Sequence, residues 1–345
     1  MLQNNLIVKK ILIFGAGSIG AHHIYAGRSL GCDVYFTDIN SEQVAYLKNN
    51  LYPSRYKKWD EKIKFIPYNE ITKLKDYFNL VILGVPPQYH LDLVKFCFKY
   101  LKFKKILVEK PLCVFNQDFK SLNKMNNKNK IFCGFNHSVS KSILKLFNLI
   151  KNSKIGKVNS VVINWKEDFD YILKAHPWIK NFKDTYLSKL KNGGGGIQEY
   201  SHAIHLAVLF KNIIFKGKFN MKKKILLIKK KNEFYDFKSD IFFKNKKKKI
   251  SIYIDTISKK VKKSIQINGS EGSILWLREL EKKKETIFIY NSKIIKINFK
   301  INRRDDFINE HKNLYINDNK KIIKNLNLKN SIKTMLCINR LLKNV

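Results

Sequence analysis

The chain has 345 residues, 44% of them hydrophobic and 13% aromatic, and its 68 Lys+Arg against 27 Asp+Glu give a formal net charge of +41. That apolar content can fill two packed cores, and with only 15 Gly and 6 Pro it excludes a disordered chain. No apolar run approaches the ~20 residues that span a bilayer, and five scattered cysteines without a CxxC pair point to reduced thiols in the cytoplasm rather than a disulfide scaffold.

In chain order, strands are predicted at Ile11–Phe14, Val34–Thr37, Lys64–Ile66, Leu80–Gly84, Ile106–Glu109 and Ile131–Phe135. Helical periodicity fills most of the intervals, as at His90–Tyr100 and Asp118–Met125. This alternation predicts a parallel sheet with right-handed crossover helices over residues 1–135. Beyond residue 150 the texture changes. A strand-like run at Lys157–Lys166 precedes an irregular stretch, and the glycines Gly193 to Gly196 open a helical pattern. Short alternating runs follow at Ile225–Ile228, Ile250–Ile257, Ser264–Ile267, Ser273–Leu277, Thr286–Tyr290 and Ile294–Phe299, punctuated by Asn268-Gly269 and Asn291-Ser292. They predict a mostly antiparallel sheet within residues 136–345, closed by a helix at Ser331–Lys343 that packs back on the first domain.

Most of the positive surplus lies after residue 135, in runs such as Lys222-Lys223-Lys224, Lys229-Lys230-Lys231 and Lys246 to Lys249. These separate predicted strands rather than forming a basic helix or an aromatic-interleaved motif, so they read as solvated hairpin edges and not as a specific nucleic-acid surface. Abundant Asn and Ile beside Lys are the residues of AT-rich codons, which accounts for much of the lysine. The charge still favours an anionic small substrate.

Gly15-Ala16-Gly17-Ser18-Ile19-Gly20 follows the first strand and opens a helix. In a dinucleotide site Gly15 makes the tight turn, Gly17 lets the backbone approach a pyrophosphate, and Gly20 lets helix and sheet pack closely. The helix N-terminus then presents N–H groups, including those of Ser18 and Ile19, to the phosphates. Asp38 ends the second strand, where a carboxylate accepts both ribose hydroxyls and repels a 2′-phosphate. NAD is therefore expected over NADP.

Two clusters carry candidate chemistry. Glu109-Lys110-Pro111 sits at the carboxyl end of a predicted strand, the edge where open α/β sheets bind ligands. Lys110 there can hold a substrate hydroxyl, although alone it also reads as a solvated strand end. After the glycine run, a continuous helix would put Glu199, His202 and His205 on one face, with Gln198 a turn before His202. His202 is the natural general base, and Glu199 is expected to orient it. The Glu-x-x-His-x-x-His spacing also suits a metal, or a core helix with satisfied histidines. No further metal ligand is evident nearby, and no metal is expected.

Together, GAGSIG, the VEKP of Val108–Pro111 and the glycine-run-to-histidine segment resemble the glucose–fructose oxidoreductase / inositol dehydrogenase / MocA (Gfo/Idh/MocA) family. Val85-Pro86-Pro87 with His90, Gly134-Phe135-Asn136, Lys154 to Val158 and Gly269 to Ile274 extend the resemblance over nearly the whole chain. It implies an α/β protein: a Rossmann domain, then an α/β domain whose large, mostly antiparallel sheet carries a dimer or tetramer interface. It further implies hydride transfer between NAD and a sugar, nucleotide-sugar or polyol carbon, with Lys110 and His202 as the catalytic pair. Pro86, His90 and Glu109 map beside the cofactor; Asn136, His176, Trp178, Gln198 and His205 map beside the substrate. Gln198 and His205 stand where many members carry Asp. His176-Pro177-Trp178 resembles a subset associated with surface polysaccharides. A non-catalytic sensor or assembly protein of the same fold is the alternative.

Overall fold

The computed structural model describes residues 8–174, 181–214, 219–246 and 248–345. The first half runs β1 (Lys10–Phe14), α1 (Ser18–Ser29), β2 (Asp33–Thr37), α2 (Ser41–Tyr46), α3 (Tyr52–Tyr56), β3 (Lys64–Phe65), β4 (Tyr77–Leu83), α4 (His90–Tyr100), β5 (Lys102–Glu109) and β6 (Ile131–Gly134). These six strands form one parallel sheet in the order β3-β2-β1-β4-β5-β6. Ile11 to Phe14 and Leu80 to Leu83 are buried throughout, as strands covered on both faces require. The strand order reverses between β1 and β4, and Gly15, Asp38, Gly84 and Glu109-Lys110 collect at that carboxyl edge.

The second half runs α5 (Lys141–Lys151), β7 (Val158–Lys166), α6 (Phe169–Lys174), α7 (Gly196–Glu199), α8 (Ser201–Ile214), β8 (Asn220–Lys230), β9 (Glu233–Asn245), β10 (Lys248–Asp255), β11 (Lys262–Gly269), β12 (Ser273–Glu279), β13 (Lys284–Tyr290), β14 (Ile294–Lys300), α9 (Arg303–His311), α10 (Lys320–Ile323) and α11 (Leu328–Leu342). Its eight strands are ordered β14-β13-β12-β11-β7-β10-β9-β8, antiparallel except for β7 with β10. Alternate residues such as Ile163, Trp165, Ile252, Ile254, Ile265, Ile267 and Trp276 are buried. The C-terminal helices return to the first sheet: α9 packs on α1, and Asn327, which caps α11, bridges to Phe132 of β6.

Three expectations are corrected. The helix expected at Asp118–Met125 is a 3₁₀ segment, Phe119–Lys124, whose buried Phe119 and Leu122 fall three apart and so align on a three-residue turn. Strand β9 escaped the sequence reading because buried polar residues, Asp236 and Ser239, interrupt its alternation. Lys222-Lys223-Lys224 and Lys229-Lys230 lie within β8, and Lys248-Lys249 within β10, rather than between strands; β8 is an edge strand, where lysines discourage further pairing.

Candidate active site

The glycine loop has the form a dinucleotide needs. Gly15 adopts φ +108°, its N–H donates to Thr37 O at 2.9 Å, and a Cβ there would lie 2.6 Å from Gly84 O. A Cβ on Gly20 would lie 1.9 Å from Gly15 O, so α1 can pack this close only as glycine. A Cβ on Gly17 would meet nothing within 4 Å, which leaves the N-terminal end of α1 open to an approaching phosphate. Asp38 is anchored by N–H donors: Ala16 N to Oδ2 at 2.7 Å and Asn40 N to Oδ1 at 2.9 Å. Arg55, which the sequence reading missed, donates from Nη1 to Ser18 Oγ and O, at 2.9 and 3.1 Å.

At the other end of this edge Lys110 precedes a cis peptide bond to Pro111. Its Nζ donates to both Glu199 Oε1 and Glu199 O at 2.8 Å, and Tyr186 OH donates to Glu199 Oε2 at 2.9 Å. Both ion-pair side chains are largely buried. His202 follows on α8, with ring centroids 4.6 Å from His137 and 5.9 Å from Trp165, and its buried Nδ1 has no hydrogen-bond partner among the described residues. Burial, then the charge of Lys110 and more weakly of Lys263 and Arg278, holds the His202 imidazole well below its usual pKa and therefore neutral at pH 7. His137 is depressed for the same reasons, burial first and Arg278 next. Arg278 Nη1 reaches His137 Nδ1 at 3.3 Å and is itself held by Glu285 and Asp306. Lys263 pairs with Glu167 at 2.8 Å and lies over the Trp165 ring.

Several site expectations change. Glu199 does not orient His202. The helix breaks at Tyr200, whose φ −93° and ψ 31° separate α7 from α8, and Tyr200 OH is drawn off to Glu167 O; the Glu199 carboxylate faces Lys110 and Tyr186 instead. The same break rules out Glu199, His202 and His205 as a three-ligand metal set. His205 is buried, its ring nitrogens on Thr334 Oγ1 and Asn325 O and its ring stacked 3.9 Å from Phe135. Gln198, fully buried, donates to Leu190 O and Gly194 O and accepts from Phe115 N, tying the glycine run to the loop after β5. His90 braces two loops through Val85 O and Pro111 O, while Pro86 is exposed beside it. Asn136 is buried, with an Oδ1 that lacks a partner among the described residues. His176 and Trp178 lie outside the described residues.

Residues 9–137 match a family model described as GFO_IDH_MocA, oxidoreductase family, NAD-binding Rossmann fold. No curated protein matches the sequence. Among solved structures, a levoglucosan dehydrogenase in complex with NADH is 14% identical, with a TM-score of 0.74 over 97% of this chain and 96% of that one. The WlbA dehydrogenase from Bordetella pertussis, in complex with NADH and UDP-GlcNAcA, is 13% identical with a TM-score of 0.68 over 97% and 95%. The UDP-N-acetylglucosamine 3-dehydrogenase GnnA from Acidithiobacillus ferrooxidans is 11% identical, also with a TM-score of 0.68, over 97% of each chain. At these identities the likeness is one of fold. No described helix is long and apolar enough to cross a membrane.

Proposed function

We propose that this chain, an NAD(P)-dependent oxidoreductase of the Gfo/Idh/MocA family, uses NAD to oxidise or form a hydroxyl-bearing carbon of a sugar, nucleotide sugar or polyol. The observation that carries the reading is the meeting of Lys110 and a neutral His202 at the carboxyl edge of a sheet whose glycine loop is open for a dinucleotide. Residues 1–135 hold the cofactor and 136–345 the substrate, in a homodimer or homotetramer working in the cytoplasm. The residues present fit NAD: Gly17 leaves the approach open, and Asp38 disfavours a 2′-phosphate. When bound, the nicotinamide accepts or returns the hydride.

The remaining chemistry belongs to the chain. Lys110 Nζ holds the reacting hydroxyl oxygen and stabilises its alkoxide character, while Glu199 and Tyr186 fix the ammonium in place. His202 takes the hydroxyl proton; being neutral, it begins in the accepting form. The surrounding cations make a charged imidazole costly, so His202 passes that proton on readily.

The test is NADH absorbance on mixing purified protein and NAD with panels of nucleotide sugars, sugar acids and free polyols. Reduction with one class supports an enzyme and names its substrate type. NADH binding without turnover on any class favours the sensor reading. Absence of NADH binding overturns the proposal.

A further inference from the structure

Beneath the Glu109-Lys110 turn lies a second group of buried polar side chains that the chemistry above does not use. His23 of α1, Glu109 at the end of β5 and Glu310 of α9 are 0%, 6% and 0% exposed. One nitrogen or oxygen from each falls within 4.8 Å of the others. Glu109 Oε1 is 2.9 Å from His23 Nε2, and Glu109 Oε2 accepts Lys110 N–H at 3.1 Å. Behind His23 a chain of contacts continues: Nδ1 to His311 Nε2 at 2.9 Å, His311 Nδ1 to Tyr315 OH at 3.1 Å, and Tyr315 OH to Cys32 Sγ at 3.4 Å. Glu310 differs from all of these: both of its carboxyl oxygens are buried and, among the described residues, have no hydrogen-bond partner.

Glu109 has a neighbour for each oxygen, His23 Nε2 at Oε1 and the Lys110 N–H, which donates to Oε2. Among the described residues Glu310 has no such partner, and it lies against Glu109. A second carboxylate against Glu109 would be a like charge in a dry interior. The other acidic groups facing Glu310 worsen this: Asp306 lies near, already paired with Arg278 Nη2 at 2.7 Å, and the Cys133 thiol is itself held protonated by burial and by both glutamates. Burial first, then Glu109 and Asp306, raise the Glu310 carboxyl well above its usual range.

We propose that Glu310, reaching across from the C-terminal helix α9, carries a proton, so that it packs as a neutral group beside Glu109 and acts as a positioning residue for the Glu109-Lys110-Pro111 turn. The proposal rests on Lys110 as the residue that holds the reacting oxygen. A divalent cation in place of the proton is the rival occupant, but His23 Nε2 already meets Glu109 Oε1 without one.

The experiment compares the full chain with its Glu310→Gln and Glu310→Leu variants. Infrared difference spectra of wild type at pH 8 should show the carbonyl stretch of a protonated carboxyl, missing in Glu310→Gln. This readout is independent of turnover and survives failure of the dehydrogenase reading. With a substrate from the panel, Glu310→Gln should keep turnover within about twofold, since its amide matches the protonated carboxyl in size and carries no charge. Glu310→Leu should lose roughly tenfold to hundredfold through misplacement of Lys110. Absence of the band from wild type overturns the proposal, as does equal loss of turnover in both variants. One equivalent of divalent metal in wild type, released in Glu310→Gln, assigns the site to a cation and overturns it too.

Discussion

Replacing Lys110 by Met removes an ammonium that makes two 2.8 Å contacts to Glu199. The Glu199 carboxylate, 13% exposed, is then left with Tyr186 OH alone among the described residues. Breaking a buried pair from one side costs about 3–5 kcal/mol, and because neither side chain is fully sealed the lower end applies, about 3 kcal/mol. Adding Glu199→Gln removes the orphaned charge while keeping an acceptor for Tyr186, so the double variant should return to within about 1 kcal/mol of wild type. Turnover should not return. Loss of a group that stabilises developing alkoxide charge costs roughly 10²–10³ in kcat, and both variants should show it. Urea unfolding followed by tryptophan fluorescence gives the stabilities, and NADH absorbance the turnover. Recovery of turnover together with stability in the double variant would refute the chemical role of Lys110. A single variant as stable as wild type would show that solvent already screens the pair.

His202→Ala should lower turnover by about 10²–10⁴ while NADH affinity holds; full activity would sink the general-base assignment. Asp38→Ala should weaken NADH binding and narrow the gap to NADPH in fluorescence titrations, and a wild type that binds both equally would remove the role given to Asp38. Asp236, fully buried beneath the glycine run and accepting from Ile197 N at 2.9 Å, is raised by burial to about 6 from 3.8. The folded state therefore binds the extra proton, and the stability this supplies is present below pH 4 and lost as pH rises through about 6. Asp236→Asn should abolish that loss, worth about 1.4 kcal/mol per pKa unit, and persistence of the same slope in the variant would refute the assignment. Gly195→Ala should destabilise by about 2–4 kcal/mol in urea unfolding, because φ is +83° and the new Cβ would lie 2.1 Å from Asp236 Oδ1; an unchanged midpoint would exclude that packing.

Residue order and spacing alone determined the parallel sheet, the glycine loop with Asp38, and Lys110 at a strand end, because each depends on contacts within a few residues or on one strand–turn–helix unit. Apolar runs such as Ile11 to Phe14 could also be read for burial, since a strand covered on both faces tolerates little else. Only the tertiary structure decided what surrounds those groups. A single break at Tyr200 turns Glu199 from His202 to Lys110, a change too local in φ and ψ to appear in helical periodicity. Lys110, Lys263 and Arg278 come from three separate segments to hold the buried His202 neutral, and the α9 histidine and glutamate come from far along the chain to reach His23 and Glu109. Protonation depends on burial and on neighbouring charge in space, and neither quantity is a property of sequence spacing.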